Sequence, residues 1–288
     1  MVACKARLPA IQAGLMMKAV RNRPLIVDVD DYELGFFNNR NPLDDPSSES
    51  PEDLEHPFEE AWTRYAENLL PAADRLLVSN TVLQGKFGGV LVPHARDESV
   101  FRPDRLDKHS ARRELDLPLD ERVVMFIGTP RPHKGVLEVL EAVKQVRQRL
   151  NCRFVIVGKP PDAAFETLLR DRGGNALHLI PDQPFDRLPD ILAAADLVCV
   201  LQQVDSEVAK YQLPAKIVDA MAMQIPVLAT DVPPLRSLID DGVIDPVTPE
   251  NLADRIEWWL TAPDEDRSRH VERARTTATK PSTGRWWK

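Results

Sequence analysis

Two cations, Arg131 and Lys134, stand three residues apart inside the stretch Gly128-Thr-Pro-Arg-Pro-His-Lys-Gly135. The stretch follows the apolar run Val123-Val124-Met125-Phe126-Ile127 and precedes a segment with apolar residues at 136, 139, 140, 143, 146 and 150, the spacing of a strand and then a helix. A loop leaving the C-terminal end of a parallel strand for a helix N-terminus is a place where α/β sheets take phosphates. The first-turn amides lack intrahelical acceptors there, and the helix dipole favours negative charge. Gly128, Arg131 and Lys134 are therefore candidate anion-binding residues. The alternative is a surface turn stiffened by Pro130 and Pro132, with both cations simply solvated. The loop alone leaves both readings open.

A second stretch, Lys210-Tyr-Gln-Leu-Pro-Ala-Lys-Ile-Val-Asp-Ala-Met-Ala222, carries Pro214, which suits the first turn of a helix. Lys216 and Asp219 then fall on one helix face, with Ile217 and Met221 turned inward. In isolation this is an exposed ion pair worth about 0.2–0.5 kcal/mol. At the same sheet edge as Arg131 and Lys134, however, a carboxylate can take ribose hydroxyls while cations take a diphosphate. A third cluster, Asp28, Asp30 and Asp31, ends the apolar run that begins at Pro24. Three acids could hold a divalent ion, and Asp-x-Asp after a strand resembles the haloacid-dehalogenase phosphatases. That pattern breaks at Tyr32, where the family has Thr or Val.

The elements that must position these residues alternate along the chain. Strands are expected over 24–30, 74–79 and 89–93, with helices over 11–20, 57–70 and 80–87. Polar, turn-forming residues make 33–55 a loop. Further strands near 123–127, 153–157, 176–180, 197–201 and 226–229 are separated by helical patterns, the rhythm of a doubly wound parallel sheet covered on both faces. The proline-rich, charged piece 93–105 reads as a linker. The expected division is 1–104, 105–275 and a tail of 276–288 that frays.

A chain of 288 residues with 43% hydrophobic composition has enough apolar material for two cores. Its net charge of -8 speaks against a nucleic-acid coat, so a polyanion contact must come from a local cluster of cations. Cys4, Cys152 and Cys199 read as reduced packing thiols, and no zinc-type spacing accompanies the scattered histidines. Neither a membrane-length apolar run nor a secretory leader pattern is present, which makes a cytoplasmic location the expectation. The helix over 11–20 leaves peripheral contact with the inner membrane surface open. Dinucleotide, P-loop, nucleophile-elbow and zincin fingerprints are all missing.

The order of Phe126-Ile-Gly-Thr-Pro-Arg-Pro-His-Lys-Gly135, Pro214-Ala-Lys-Ile-Val-Asp-Ala-Met-Ala222 and Ile225-Pro-Val-Leu-Ala-Thr230 resembles the donor-binding domain of GT-B glycosyltransferases of family 4. Upstream, Ala73-Asp-Arg-Leu-Leu-Val-Ser79 and Val92-Pro-His-Ala-Arg-Asp-Glu-Ser-Val-Phe-Arg-Pro103 resemble that family's acceptor-domain end and hinge, so the likeness covers about residues 20–260. The resemblance implies two Rossmann-like doubly wound α/β domains, the N-terminal one incomplete. It also implies transfer of a sugar from a nucleotide diphosphate donor, usually with retention and without an essential metal or other cofactor. The acceptor could be a glycan, a lipid-linked molecule or a small molecule. Lys134 and Arg131 would match the cations on the diphosphate, and Asp219 the second Glu of a Glu-x7-Glu motif, which binds ribose. Tyr211 stands where that motif has its first Glu, the donor-sugar contact, and nearby Glu207 is the candidate substitute. These departures keep a second expectation alive, a noncatalytic nucleotide-sugar binder or inactive fragment. No catalytic base is identified.

Overall fold

The computed structural model describes residues 1–37 and 56–279. The chain forms two compact units, one made of Met1–Pro93 with Asp205–Leu213 and the other of His94–Val204 with Pro214–Lys288. The first division thus falls ahead of the expected 104–105 boundary, and the short segment 205–213 belongs with the N-terminal part.

The first unit contains β1 (Val2–Cys4), α1 (Leu8–Arg21), β2 (Ile26–Val29), α2 (Glu60–Asn68), β3 (Arg75–Val78), α3 (Thr81–Phe87) and β4 (Val90–Leu91). Its strands pair in parallel in sequential order. Ile11, Leu25, Val27, Val29, Val78 and Leu83 are completely buried and form its core. Asn80 starts α3 by accepting hydrogen bonds from the Val82 and Leu83 amides, both at 3.0 Å, which satisfies two of the donors a helix start leaves open. The strand β1 leaves no signal in the sequence because three residues carry no measurable alternation. Most of the loop expected over 33–55 lies outside the described residues; Glu33–Phe36, at its start, forms a 3-10 turn with Glu33 buried.

The second unit opens with α4 (Lys108–Glu114) and continues through β5 (Arg122–Ile127), α5 (Val136–Val146), β6 (Cys152–Val157), α6 (Ala163–Gly173), β7 (Leu177–Ile180), α7 (Leu188–Leu192) and β8 (Leu197–Val200). After α8 (Glu207–Tyr211), which belongs to the first unit, come α9 (Ala215–Ala222), β9 (Val227–Thr230), α10 (Arg236–Asp240), β10 (Asp245–Val247), α11 (Leu252–Thr261) and α12 (Asp264–Ala278). All six strands are parallel in the order β10-β9-β8-β5-β6-β7. The order reverses between β5 and β8, the switch point at which doubly wound sheets open a crevice. All four residues of β8 are buried, as expected of a strand covered on both faces. Cys152 and Cys199 are buried free thiols, and Cys4 is an exposed one.

Helix α12 corrects the fraying expected from 276: Ala274, Ala278 and Thr279 are buried. Its sequence is charged almost throughout, so the narrow contact stripe carries little periodicity. The remainder of the expected tail, 280–288, lies outside the described residues. None of the described helices is long and apolar enough to cross a membrane.

A buried ionic knot at the other end of the second sheet secures α4. The fully buried Asp196 carboxylate accepts from Lys108 at 2.7 Å, from Arg112 at 2.5 Å and from the Val123 amide at 2.7 Å. Burial by itself would raise this carboxyl, but the charges of Lys108 and Arg112 and the hydrogen bonds outweigh it and hold it below the ordinary range. Its contribution is present above the unfolded carboxylate value of about 3.9 and is lost as pH falls through the lower folded value. Asp196→Ala leaves the buried Arg112 guanidinium unpaired and should destabilise the second unit by about 3–5 kcal/mol, measured by urea unfolding near neutral pH. A loss below about 1 kcal/mol would show that the knot is not holding α4.

Candidate functional site

At the switch point the loop after β5 is built on close backbone approaches. Gly128 has φ 108°, Gly135 φ 62° and Gly158 φ 146°, conformations in which L side chains are strained. A Cβ on Gly135 would lie 2.4 Å from the Leu201 Cβ, and one on Gly158 would lie 2.3 Å from the Gly128 carbonyl oxygen. These glycines let the loops leaving β5, β6 and β8 meet. The Gln203 amide also donates to the His133 carbonyl at 3.3 Å. Gly135 immediately precedes α5, whose first-turn amides at Val136, Leu137 and Glu138 have no intrahelical acceptor.

Cations gather at this helix start. Lys134 is half-buried and donates to the Thr129 carbonyl at 3.1 Å, while Arg131 is exposed. Lys216, at the start of α9, places Nζ 4.3 Å from the Phe126 ring centre and beside Gly128, where a Cβ would meet it at 3.2 Å. Burial and the Lys134 charge push the Lys216 ammonium down to about 7. Burial and Arg131 likewise lower Lys134, and burial with Lys134, Arg131 and Lys216 lowers His133. Half-buried basic side chains, each lowered first by burial and then by a neighbouring cation, make a site whose electrostatics a polyanion would relieve.

The expected Lys216–Asp219 ion pair takes a different form. The buried Asp219 carboxylate accepts through Oδ1 from Arg96 Nε, while Lys216 acts on it only as a nearby charge. Burial raises the Asp219 carboxyl, against the pull of Arg96 and Lys216. Arg96 lies in the linker-like stretch 93–105, where no local pattern marks it. The signal was a basic residue within the hinge-like stretch Val92–Pro103, but nothing local tied it to α9. A second omission is Gln202, whose Oε1 is buried with no hydrogen-bond partner among the described residues, just beyond β8.

Gly128, Arg131, Lys134, Lys216 and Asp219 therefore share the second unit, whereas Glu207 and Tyr211 belong to the first. Glu207 pairs with Lys210 on α8, and the Tyr211 ring lies 4.7 Å from that of Tyr32, with Lys86 Nζ 5.3 Å from its centre. The Tyr211 carbonyl also accepts from Asn80 Nδ2 at 2.9 Å. Elsewhere in the first unit, Asp30, Asp31 and Glu33 present ligand atoms within 4.8 Å of one another, a grouping that could hold a metal ion. Lys5 Nζ reaches all three, at 3.3, 2.9 and 3.2 Å. Burial opposes its charge, but the Asp31 hydrogen bond and the three acids prevail and raise its pKa. A cation of the chain's own thus stands among the acids.

The two parallel sheets, the second in doubly wound order, make the fold that of the GT-B glycosyltransferases. An Anabaena HepE structure in complex with UDP and glucose aligns with a TM-score of 0.72 at 20% identity, covering 97% of this chain and 73% of that one. WaaG, described as a glycosyltransferase involved in lipopolysaccharide biosynthesis, aligns with a TM-score of 0.55 at 16% identity over 96% and 95% of the two chains. The profile of the family described as glycosyl transferases group 1 matches residues 107–277, more than half of the chain, which therefore belongs to that family. Among curated relatives, a D-inositol 3-phosphate glycosyltransferase of Rhodococcus erythropolis is 32% identical over 71% of this chain and 50% of its own length. A protein described as a putative teichuronic acid biosynthesis glycosyltransferase, TuaC of Bacillus subtilis, is 28% identical over 59% and 41%. The chain spans about half or less of the length of these relatives.

The half-buried Lys216 has a measurable signature. Lys216 titrates near 7 when folded, against about 10.4 in an unfolded chain. The unfolded state thus holds more protons between those values, and stability should rise with pH across that window. Lys216→Met removes the cost of the buried charge. Its Tm should exceed that of wild type at pH 7, with the gap closing toward pH 10, while binding of inorganic pyrophosphate weakens. A gap that stays constant with pH would count against the lowered proton affinity of Lys216.

Proposed function

We propose that the second unit binds the diphosphate of a nucleotide-sugar donor and that the protein transfers that sugar to an acceptor, with retention at the anomeric carbon and without a metal ion or other cofactor. The observation that carries the reading is the gathering of Lys134, Arg131 and Lys216 at the start of α5, at the switch point of a sheet with Rossmann order. Lys134 holds the phosphates as positive charge, Lys216 is drawn into its protonated form as they bind, Gly128 admits them to the backbone, and Asp219 takes the ribose. As the bond to the sugar breaks, negative charge grows on the leaving diphosphate, and preorganised cations stabilise it without rearranging. No protein nucleophile is required by this scheme. The HepE structure with UDP and glucose and the glycosyltransferase names of the relatives support the donor class.

The acceptor in this reading is a glycan, a lipid-linked glycan or a small molecule, and the names of TuaC and WaaG, tied to teichuronic acid and lipopolysaccharide, favour a cell-envelope glycan. Such an acceptor suits a cytoplasmic enzyme working at the inner membrane surface. The net charge of -8 disfavours nucleic acid as a partner. One observation favours a second reading, a nucleotide-sugar binder without transfer activity: the motif's first acid is replaced by Tyr211, which packs against Tyr32.

Lys134→Ala should weaken UDP or GDP binding by about ten- to a hundredfold in isothermal titration, since a charge-assisted contact contributes about 1.5–3 kcal/mol. Unchanged affinity for both nucleotides would remove Lys134 from the site. Transfer is read separately, by incubating the protein with UDP- or GDP-sugars and following donor consumption. Binding of donor with neither sugar transfer nor slow hydrolysis would select the binder reading.

A further inference from the structure

The pairing of Arg96 with Asp219 goes beyond a generic salt bridge. The guanidinium engages Asp219 Oδ1 through Nε alone, while its Nη1 donates to the Ala95 carbonyl at 3.0 Å. A fork-on contact would occupy both carboxylate oxygens. Here no hydrogen bond to Asp219 Oδ2 is made among the described residues, although a carboxylate accepts on both oxygens.

Arg96 is itself held on several sides. Its amide donates to the Ala278 carbonyl at the end of α12 at 3.0 Å, and its guanidinium carbon lies 5.6 Å from the ring centre of the buried Phe101. Arg275 on α12 donates to the Phe101 carbonyl at 2.7 Å and also to the Ala222 carbonyl at the end of α9. The Arg96 backbone is thus tied to α12, and Arg275 ties α12 in turn to the end of α9, the helix that carries the carboxylate. A free Asp at 219 could rotate about two side-chain torsions, and the pairing with Arg96 removes that freedom. The effect is to pin a short carboxylate with one oxygen occupied and the other uncommitted.

We propose that Arg96 is a positioning residue for the nucleotide's ribose, fixing Asp219 so that Oδ2 accepts from the ribose hydroxyls. This rests on the reading of the second unit as a nucleoside-diphosphate site, and it adds a residue outside the phosphate loop and α9 to that site. Because Arg96 acts through Asp219, its removal should affect recognition of the ribose while leaving recognition of the diphosphate in place. A residue that only stabilised the fold would weaken both together.

The test is isothermal titration of the full chain with inorganic pyrophosphate, with UDP and GDP, and with their 2′,3′-dideoxy counterparts. Wild type is expected to prefer whichever ribonucleotide it binds over its dideoxy form by about tenfold or more, the effect of a hydrogen bond to a charged group. In Arg96→Leu the preference should fall to within about twofold, with pyrophosphate affinity unchanged within the same factor. Arg96→Lys, which keeps the charge but not the Nε geometry, should show an intermediate preference and serves if Arg96→Leu does not fold. A ribose preference that survives both substitutions overturns the inference, as does tighter nucleotide binding by either variant, which would make Arg96 a competitor of the ribose. An equal loss of pyrophosphate affinity also overturns it, in favour of a structural role. If wild type binds none of these anions, the diphosphate-site reading fails first and this inference with it. Intact pyrophosphate binding with an unaffected ribose preference defeats this inference alone.

Discussion

The candidate site depends on backbones approaching more closely than any side chain permits. With a Cβ at position 135 sitting 2.4 Å from that of Leu201, the start of α5 could not rest against the exit of β8. With one at position 158, the exits of β6 and β5 would collide at the Gly128 carbonyl. Because the sheet order reverses between β5 and β8, these contacts lie where the two halves of the crossover pattern diverge. Helix α5 consequently begins beside the loop that leads on toward α9. The free amides of one helix start and the lysine of another then serve the same space.

The charges at that place are deliberately uneven. Burial and neighbouring cations lower the proton affinity of Lys134, Lys216 and His133, and the nearby acid, Asp219, is already engaged by Arg96. The Phe126 ring offers Lys216 a partial counterweight, since the face of an aromatic ring attracts a cation. The opposite balance holds around Lys5, where three acids surround one ammonium and raise its proton affinity. Asp196, with Lys108 and Arg112, is a third case, in which charges close on themselves inside the protein. A closed cluster like that of Asp196 holds elements together. A cluster with surplus charge of one sign is poised for a ligand of the other.

Several parts of this arrangement were legible from residue order. The strand before Gly128 and the helix after it follow from apolar spacing over short distances, and the two cations in the loop follow from their position at a strand end. Helix spacing points to Asp219 as a candidate and to Lys216, its neighbour on the helix, as its partner. The partner is Arg96, 123 positions away in the chain. Local spacing favours the nearer cation because it treats a helix face as though it were alone in water. The motif resemblance places Tyr211 with the donor site, and Glu207 as its substitute in the same loop; segment 205–213 belongs to the first unit. A short excursion between units leaves no trace in periodicity.

The sequence by itself determined the α/β alternation, the buried strands of the second sheet and the chemistry available to the loop after β5, because these arise from local patterning of apolar residues, glycines and charges. It also carried the motif order that resembles a glycosyltransferase family. The tertiary structure alone decided the strand order, the depth at which Lys216 sits, the choice of Arg96 as partner of Asp219 and the extension of α12 through Ala278. Each of these depends on which distant segments exclude water from one another. Burial and pairing in a low-dielectric interior are properties of the packed assembly, and no window of sequence contains them.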